Sequence, residues 1–183
     1  PDYLRQFRML IESLGADDTL IYCAEDQDLV DLVAEISPVC ITIPYRTHDY
    51  MLEEGTVIIK DEEGTAFPLE IFGNHNLQNL KAAQLATHIA GLSSKDFYNS
   101  IQSFTGASKR LQTLHVEERL TSYLDFAHAP SKVRATVNAV REKHPNAYII
   151  ACLELHTFSS LNPAFLPQYR GALAEADVKI LYY

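Results

Sequence analysis

The first fifty residues alternate between helical and strand-like apolar patterns. Residues 3–14 carry apolar side chains at helical spacing and end at Gly15, which predicts a helix. Two short apolar runs, Thr19–Cys23 and residues 39–43, predict buried strands, and Asp26 is placed to open a helix between them. A strand–helix–strand order with buried strands is typical of a parallel sheet.

The pattern changes between residues 44 and 72. The runs Thr56–Lys60 and 65–71 are separated by the sequence DEEG, which predicts a hairpin because Asp and Gly favour tight turns. Two helices are predicted next: residues 77–89, ending at Gly91, and a helix capped by Ser93 or Ser94 that presents Phe97, Ile101 and Phe104.

Residues 105–109 are small and polar, and we interpret them as a linker. Beyond them the alternation predicts paired strands at residues 111–116 and 120–126. Further elements follow in the order helix, strand, helix, strand, at residues 133–140, 148–155, 165–173 and 178–183. This second strand–helix succession predicts the start of a Rossmann-like sheet whose later strands are missing.

Composition narrows the class of protein. The chain has 183 residues, 47% of them hydrophobic, and a formal net charge of −9. A globular α/β chain is therefore expected, and an acidic surface argues against general binding to nucleic acid. Its apolar runs fall short of the roughly 20 residues that span a bilayer. Three cysteines, Cys23, Cys40 and Cys152, lie in apolar stretches and are read as core residues of a cytoplasmic protein, with no metal site assigned.

The two ends of the chain favour a fragment. It begins at Pro1 without a methionine and stops at Tyr183, inside an apparent strand. A strand that ends without a turn or cap leads us to expect a piece of a longer protein.

The segment GNHNLQN at residues 73–79 is the first candidate site. A glycine lets the chain turn sharply into a helix, whose first turn offers unpaired backbone N–H groups. His75, Asn76 and Asn79 crowd that entrance, and an asparagine amide is able to pair with adenine. The competing interpretation is that Asn74 or Asn76 only caps the helix.

Two further candidates follow predicted strands, where ligands gather in open α/β sheets. Asp125 and His128 follow one strand, and Glu154 and His156 end the next. Asp125 and His128 are able to contact a ribose, a metal or a substrate carboxylate, and Glu154 and His156 share a sheet face and are able to contact one ligand. Together the four resemble a divalent-metal set. The alternatives are that Asp125 caps a turn and that His128 has no role.

Arg110 is a candidate phosphate clamp, since a guanidinium group pairs with phosphate oxygens, although most surface arginines are only solvated. The chain contains neither a G-x-x-x-x-G-K-[ST] loop nor a G-x-G-x-x-G motif. It therefore has no phosphate-binding loop of its own.

Taken in order, these segments resemble the Mur ligases, which add amino acids or peptides to UDP-N-acetylmuramate in peptidoglycan synthesis. Residues 73–79 match the family pattern G-x-H-N-x-x-N at the end of the central ATPase domain. The other matching segments are GASKRLQ at residues 106–112, YLDFAHAP at 123–130, LELHTFSS at 153–160 and AEAD at 174–177.

The resemblance implies an α/β architecture in two parts. Residues 1–106 would be the tail of a Mur-type central ATP-binding domain, and residues 107–183 the first part of a truncated Rossmann-like C-terminal ligase domain. ATP would convert a substrate carboxylate into an acyl phosphate, which the incoming amine then attacks. Mg²⁺ is implied, with its ligands outside the chain, and the fragment alone should not catalyse.

The family also implies a role for each candidate residue. His75, Asn76 and Asn79 would surround the adenine, and Asp125 would reach the ribose. Arg110 would contact the γ-phosphate, while His128 and His156 would lie near the incoming amino acid or peptide.

The chain departs from the L-alanine-adding branch of the family. Two arginines that follow the histidine in that branch are Thr157 and Ser160 here, and a second histidine is Ala129. We therefore lean towards the branch that attaches a murein tripeptide, although that branch usually has Arg where His156 stands. Two other hypotheses remain: a non-catalytic nucleotide- or protein-binding module derived from such a ligase, and a metal-dependent hydrolase using Asp125, His128, Glu154 and His156.

Overall fold

The computed structural model describes residues 2–157 and 160–183, so the motif residues Phe158 and Ser159 lie outside the described residues. The chain divides into two compact units. Unit 1 holds the residues up to Asp49 together with His75–Asn99, and unit 2 holds Tyr50–Asn74 and Ser100–Tyr183. This grouping does not test the domain boundary expected at residue 106, which remains a prediction.

Unit 1 contains the predicted strand–helix–strand arrangement. Its first elements are α1 (Asp2–Glu12), β1 (Thr19–Cys23), α2 (Gln27–Ile36) and β2 (Ile41–Tyr45). The strands β1 and β2 are parallel, with Thr19 opposite Ile41 and Cys23 opposite Tyr45. The second strand begins two residues later than predicted, because the Ile41 N–H bonds the Asp18 carbonyl just before β1.

The helices of unit 1 begin at the predicted caps. The Asp26 carboxylate accepts the Leu29 N–H at 3.2 Å, and α2 buries Leu32 and Val33 against Ile11 of α1. The long helix α3 (Asn74–Ile89) is followed by α4 (Ser94–Ile101). Ser93 caps α4, since its hydroxyl accepts the Asp96 N–H at 3.1 Å.

Unit 2 opens with a three-stranded antiparallel sheet in which β4 is central. Its strands are β3 (Met51–Glu53), β4 (Thr56–Lys60) and β5 (Ala66–Leu69). The predicted hairpin is confirmed: one Asp61 carboxylate oxygen accepts the N–H groups of Glu63 and Thr65, at 3.0 and 2.7 Å. Only β3 was not predicted, because three residues are too few to show alternation.

The rest of unit 2 contains β6 (Gln112–Glu117), β7 (Leu120–Leu124), α5 (Pro130–Lys143), β8 (Ile150–Glu154) and β9 (Val178–Tyr182). As predicted, β6 and β7 pair with each other, and the structure shows that they are antiparallel. The strands β8 and β9 are parallel, as expected for a Rossmann-like succession. One buried apolar cluster of unit 2 consists of residues from α5, from β8 and the residue before it, and from the segment before β9: Val133, Val137, Ile149, Leu153, Ala172, Leu173 and Ala176.

Two features of unit 2 differ from the expected Rossmann-like succession. The helix predicted at residues 165–173 is wrong: Leu166–Tyr169 form one 3₁₀ turn, and Gly171 interrupts the helical backbone with a left-handed φ of 75°. In addition, within the described residues β7 is not hydrogen-bonded to β8. A cavity of about 640 Å³, lined by residues of β7, α5 and β8, lies there.

Across residues 2–157 and 160–183, no helix is both long enough and apolar enough to cross a membrane.

Candidate functional site

The entrance to α3 carries three of the predicted site residues. Gly73 precedes it with a φ of 85°, a left-handed conformation that glycine adopts without steric cost. His75 and Asn76 are half-buried and Asn79 is exposed, while Leu77 is fully buried and anchors the helix. Since residues three and four apart share a helix face, Asn79 lies beside both His75 and Asn76.

Arg110 lies in a turn with an unusual backbone. Lys109 and Leu111, on either side of it, have left-handed φ values of 56° and 46°. Such conformations cost roughly 1–2 kcal/mol per non-glycine residue and persist where the surroundings enforce them. Two hydrogen bonds do so here: the Arg110 N–H bonds the Ala107 carbonyl at 3.0 Å, and the Phe126 N–H bonds the Lys109 carbonyl at 2.8 Å.

Asp125 fastens the same turn. One carboxylate oxygen accepts the Leu111 N–H at 2.8 Å, and the other accepts the Ala127 N–H at 2.6 Å. The turn-capping role considered for this residue is therefore present. Each oxygen keeps a second lone pair, so contact with a ribose hydroxyl stays a prediction.

Arg110, Phe126, His128 and His156 come together around the Phe126 ring, and we call these four residues the Phe126 cluster. The Arg110 guanidinium carbon lies 5.8 Å from the centre of that ring. The ring centres of His128 and His156 lie 5.1 and 6.2 Å from it, and 6.5 Å from each other. One cation and two imidazoles thus face a shared surface that suits an anionic or polar ligand.

His128 is held by its main chain as well as its ring. The Tyr169 hydroxyl donates a hydrogen bond to the His128 carbonyl, and the His128 Nδ1 lies 3.0 Å from the Phe126 carbonyl oxygen. Burial raises the pKa of the Tyr169 hydroxyl, which keeps it protonated and able to donate.

Thr157 and Ser160, where the resemblance leads us to expect arginines, form a closed turn. The Thr157 N–H bonds the Ser160 Oγ at 2.9 Å, and the Ser160 N–H bonds the Thr157 Oγ1 at 3.1 Å. The Ser160 hydroxyl in turn donates to the Thr157 carbonyl at 2.9 Å, and Ser160 is 1% exposed. These positions offer a substrate carboxylate no cation, and both hydroxyls are engaged within the turn.

Glu154 lies close to His156, with 3.8 Å between its Oε2 and the His156 Nδ1. In the part of the chain that the structure describes, no group of three or more His, Cys, Asp or Glu residues is arranged to hold a metal. The metal-dependent hydrolase hypothesis therefore gains no support from the geometry, and no residue here is assigned to Mg²⁺.

Unit 2 thus brings together four of the seven predicted site residues: Arg110, Asp125, His128 and His156. His75, Asn76 and Asn79 belong to unit 1, where imidazole and amide groups suit an adenine base. Sequence reasoning did not give site roles to Phe126 and Tyr169. In DFAH, Phe126 and His128 are aromatic rings two residues apart, a spacing that could have indicated a site role for Phe126. Nothing in the sequence near Tyr169 indicates its contact with His128.

The chain has clear relatives among curated proteins, although no family model matches it. It is 30% identical to the UDP-N-acetylmuramate–L-alanine ligase of Cytophaga hutchinsonii over 141 residues, covering 75% of this chain and 30% of that protein. It is also 30% identical to the ligase of the same name from Streptococcus equi subsp. zooepidemicus, covering 96% of this chain and 39% of that protein. The chain therefore spans less than half the length of these relatives.

Solved structures show the fold. MurF from Acinetobacter baumannii matches 98% of this chain and 42% of its own, with a TM-score of 0.73 and 15% identity. The murein peptide ligase of Psychrobacter arcticus matches 98% of this chain and 40% of its own, with a TM-score of 0.64 and 17% identity. The fold is therefore the α/β fold of the Mur ligases, as expected. The sequence matches confirm the resemblance: this chain is a relative of the Mur ligases.

Proposed function

We propose that the full-length protein is an ATP-dependent ligase that joins an amino acid or a murein peptide to UDP-N-acetylmuramate in the cytoplasm. Relatives named UDP-N-acetylmuramate–L-alanine ligase support this proposal. The observation that carries it is the Phe126 cluster, in which a guanidinium group and two imidazoles converge. Such a surface suits a reaction between a phosphorylated carboxylate and an amine.

In this reaction a carboxylate oxygen of UDP-N-acetylmuramate bonds to the γ-phosphorus of ATP, and ADP leaves. The amine nitrogen of the second substrate then bonds to the acyl carbon, phosphate leaves, and the nitrogen loses a proton. Arg110 offsets negative charge on the transferring phosphoryl group, and its strained turn holds it in place.

The other candidate residues bind substrates. His75, Asn76 and Asn79 surround the adenine, and Asp125 contacts the ribose through the lone pairs that Leu111 and Ala127 leave. His128 and His156 contact the incoming amino acid or peptide. The Mg²⁺ that neutralises the phosphates is bound by residues outside this chain.

For the amine substrate we favour the murein tripeptide over free L-alanine. A free amino acid presents its carboxylate next to its amine, so its site needs a cation at that distance. The turn of Thr157 and Ser160 has none, and the nearby Glu154 would repel a carboxylate. In a tripeptide the α-carboxyl group beside the amine is an amide and carries no charge.

The experiment measures phosphate release by the full-length protein with ATP, Mg²⁺ and UDP-N-acetylmuramate. L-Alanine, L-serine, glycine and L-alanyl-γ-D-glutamyl-diaminopimelate are compared as second substrates. Release that depends on the tripeptide supports the proposal, and faster release with L-alanine overturns the preference. Nucleotide binding without phosphate release with any substrate supports the alternative of a non-catalytic module.

A further inference from the structure

Glu25 connects three elements at the carboxyl edge of the β1–β2 sheet. Its Oε1 accepts the Thr47 N–H at 2.9 Å. Its Oε2 accepts the Thr47 hydroxyl at 2.8 Å and the Gln78 side-chain amide at 3.2 Å. Glu25 follows the end of β1 by two residues, Thr47 follows the end of β2 by two, and Gln78 lies in α3. All three residues belong to unit 1.

Gln78 lies on the part of α3 that carries the candidate adenine-binding residues. It is three residues after His75 and directly before Asn79, so it shares a helix face with His75. A hydrogen bond to Gln78 therefore limits rotation and sliding of the first two turns of α3 relative to the sheet edge. Arg46 and Thr47, in the segment directly after β2, supply the positive and donor groups that face Glu25, and no described ion pair competes for its carboxylate.

A carboxylate at position 25 accepts all three of these donors at once. A glutamine there keeps one acceptor oxygen, so its NH₂ group either opposes the Thr47 N–H or makes the Thr47 hydroxyl and the Gln78 amide reverse their hydrogen bonds. The hydrogen bond from the Thr47 N–H, followed by that from the Thr47 hydroxyl, lowers the pKa of Glu25, so the group is ionised at neutral pH.

We propose that Glu25 is a positioning residue of the nucleotide subsite: by holding Gln78, it fixes the face of α3 that carries His75 and Asn79. This inference rests on the proposed function, since it assumes that this face meets the adenine of ATP. Glu25 itself is not a catalytic residue, and it acts through the helix.

The test measures KM for ATP and kcat in the full-length enzyme carrying Glu25→Gln. We expect KM for ATP to rise five- to tenfold, with kcat and the KM for UDP-N-acetylmuramate changed less than twofold. The swap Glu25→Gln with Gln78→Glu restores a complementary pair, and it should recover most of the loss. A residue needed only for stability would lower the melting temperature without this selective effect on ATP.

Asp28→Asn is the matched control for charge. Asp28 lines the same cavity of about 480 Å³ as Glu25 but makes no bond to α3 in the described structure. Removing the charge of Asp28 in this variant should leave the KM for ATP within twofold of wild type. An equal rise in Asp28→Asn and Glu25→Gln would show a general charge effect and overturn the positioning role.

Asn79→Ala separates failure of this inference from failure of the proposed function. We expect it to raise the KM for ATP, and we expect Glu25→Gln to add less than twofold in that background, because both changes affect the same face. If Asn79→Ala changes the KM but Glu25→Gln does not, the role of Glu25 is wrong. If neither Asn79→Ala nor His75→Ala changes the KM, the proposed adenine site is wrong, and the inference falls with it.

Discussion

The carboxylate of Asp125 accepts the backbone N–H of Leu111, 14 residues earlier in the chain, at a distance of 2.8 Å. Its other oxygen accepts the Ala127 N–H at 2.6 Å. One side chain therefore ties the turn that carries Arg110 to the segment that carries Phe126 and His128. The Phe126 cluster depends on this connection for its geometry.

Replacing Asp125 with alanine should destabilise unit 2. The change leaves the N–H groups of Leu111 and Ala127 without their acceptor, and Leu111 is only 4% exposed. We expect a loss of about 2 kcal/mol in the free energy of unfolding, measured by urea denaturation. Asp125→Asn, which keeps one acceptor oxygen, should lose about half as much. An Asp125→Ala protein as stable as wild type would contradict the connection.

Lys109→Gly should stabilise the protein, because glycine adopts the left-handed φ of 56° without the strain that lysine bears. We expect a net gain of about 0.5–1 kcal/mol in the free energy of unfolding, because the roughly 1–2 kcal/mol of strain relieved exceeds the roughly 0.4–1 kcal/mol that glycine costs through the unfolded chain. The neighbouring Ser108 does not have a positive φ, so Ser108→Gly should bring a small loss. Chemical denaturation of the two variants side by side measures both effects, and equal changes would exclude strain at Lys109.

Arg110→Ala in the full-length enzyme should reduce ligation roughly 100- to 1,000-fold, because the transferring phosphoryl group loses its guanidinium partner. Its unfolding curve should match wild type, since Arg110 is exposed. Arg110→Lys keeps the charge but not the planar fork of donors, and it should recover only part of the rate. Steady-state kcat/KM reports the effect, and unchanged turnover in Arg110→Ala would exclude the proposed role.

Stability should fall in mild acid because of His48. This residue is 8% exposed; its Nδ1 lies 2.7 Å from the Asp49 carbonyl oxygen and its Nε2 lies 2.8 Å from the Tyr98 hydroxyl. A neutral ring satisfies both contacts, donating from Nδ1 and accepting at Nε2. Burial lowers the pKa of His48 below its ordinary value of 6.5, so the unfolded chain binds a proton more readily than the folded protein.

The sign of the pH dependence follows from this difference in proton binding. The contribution of His48 is fully present above about pH 6.5 and is lost as the pH falls from there through the lower pKa of the folded state. Urea denaturation at several pH values between 7 and 5 measures the slope. His48→Gln should be less stable at pH 7, but its free energy of unfolding should decline less steeply as the pH falls. An unchanged slope would contradict the role of His48 in the pH dependence.

Features set by neighbouring residues were predictable from the sequence. The strands Thr19–Cys23 and Thr56–Lys60 have the predicted bounds, and the caps at Asp26 and Ser93 are present, because each depends on a few adjacent side chains. The helix predicted at residues 165–173 failed for a local reason as well. Its apolar spacing is helical, but Gly171 takes a left-handed conformation inside the predicted range and ends the helical hydrogen bonding after one 3₁₀ turn.

Contacts between distant parts of the chain were not predictable in this way. Glu25 and Gln78 are 53 residues apart, and Tyr169 lies 41 residues from His128, so no spacing rule connects them. The proximity of His128 and His156 was expected from their positions after predicted strands, whereas spacing did not predict that Arg110 lies beside them. Their convergence on the Phe126 ring required the tertiary structure.

The Tyr169 hydroxyl donates to the main-chain carbonyl oxygen of residue 128, an atom that every amino acid possesses. This contact would therefore survive a change of side chain at position 128, although the contact of the His128 ring with the Phe126 carbonyl would be lost. A substitution at position 128 can therefore change which ligand binds there while the main-chain contact with Tyr169 is kept.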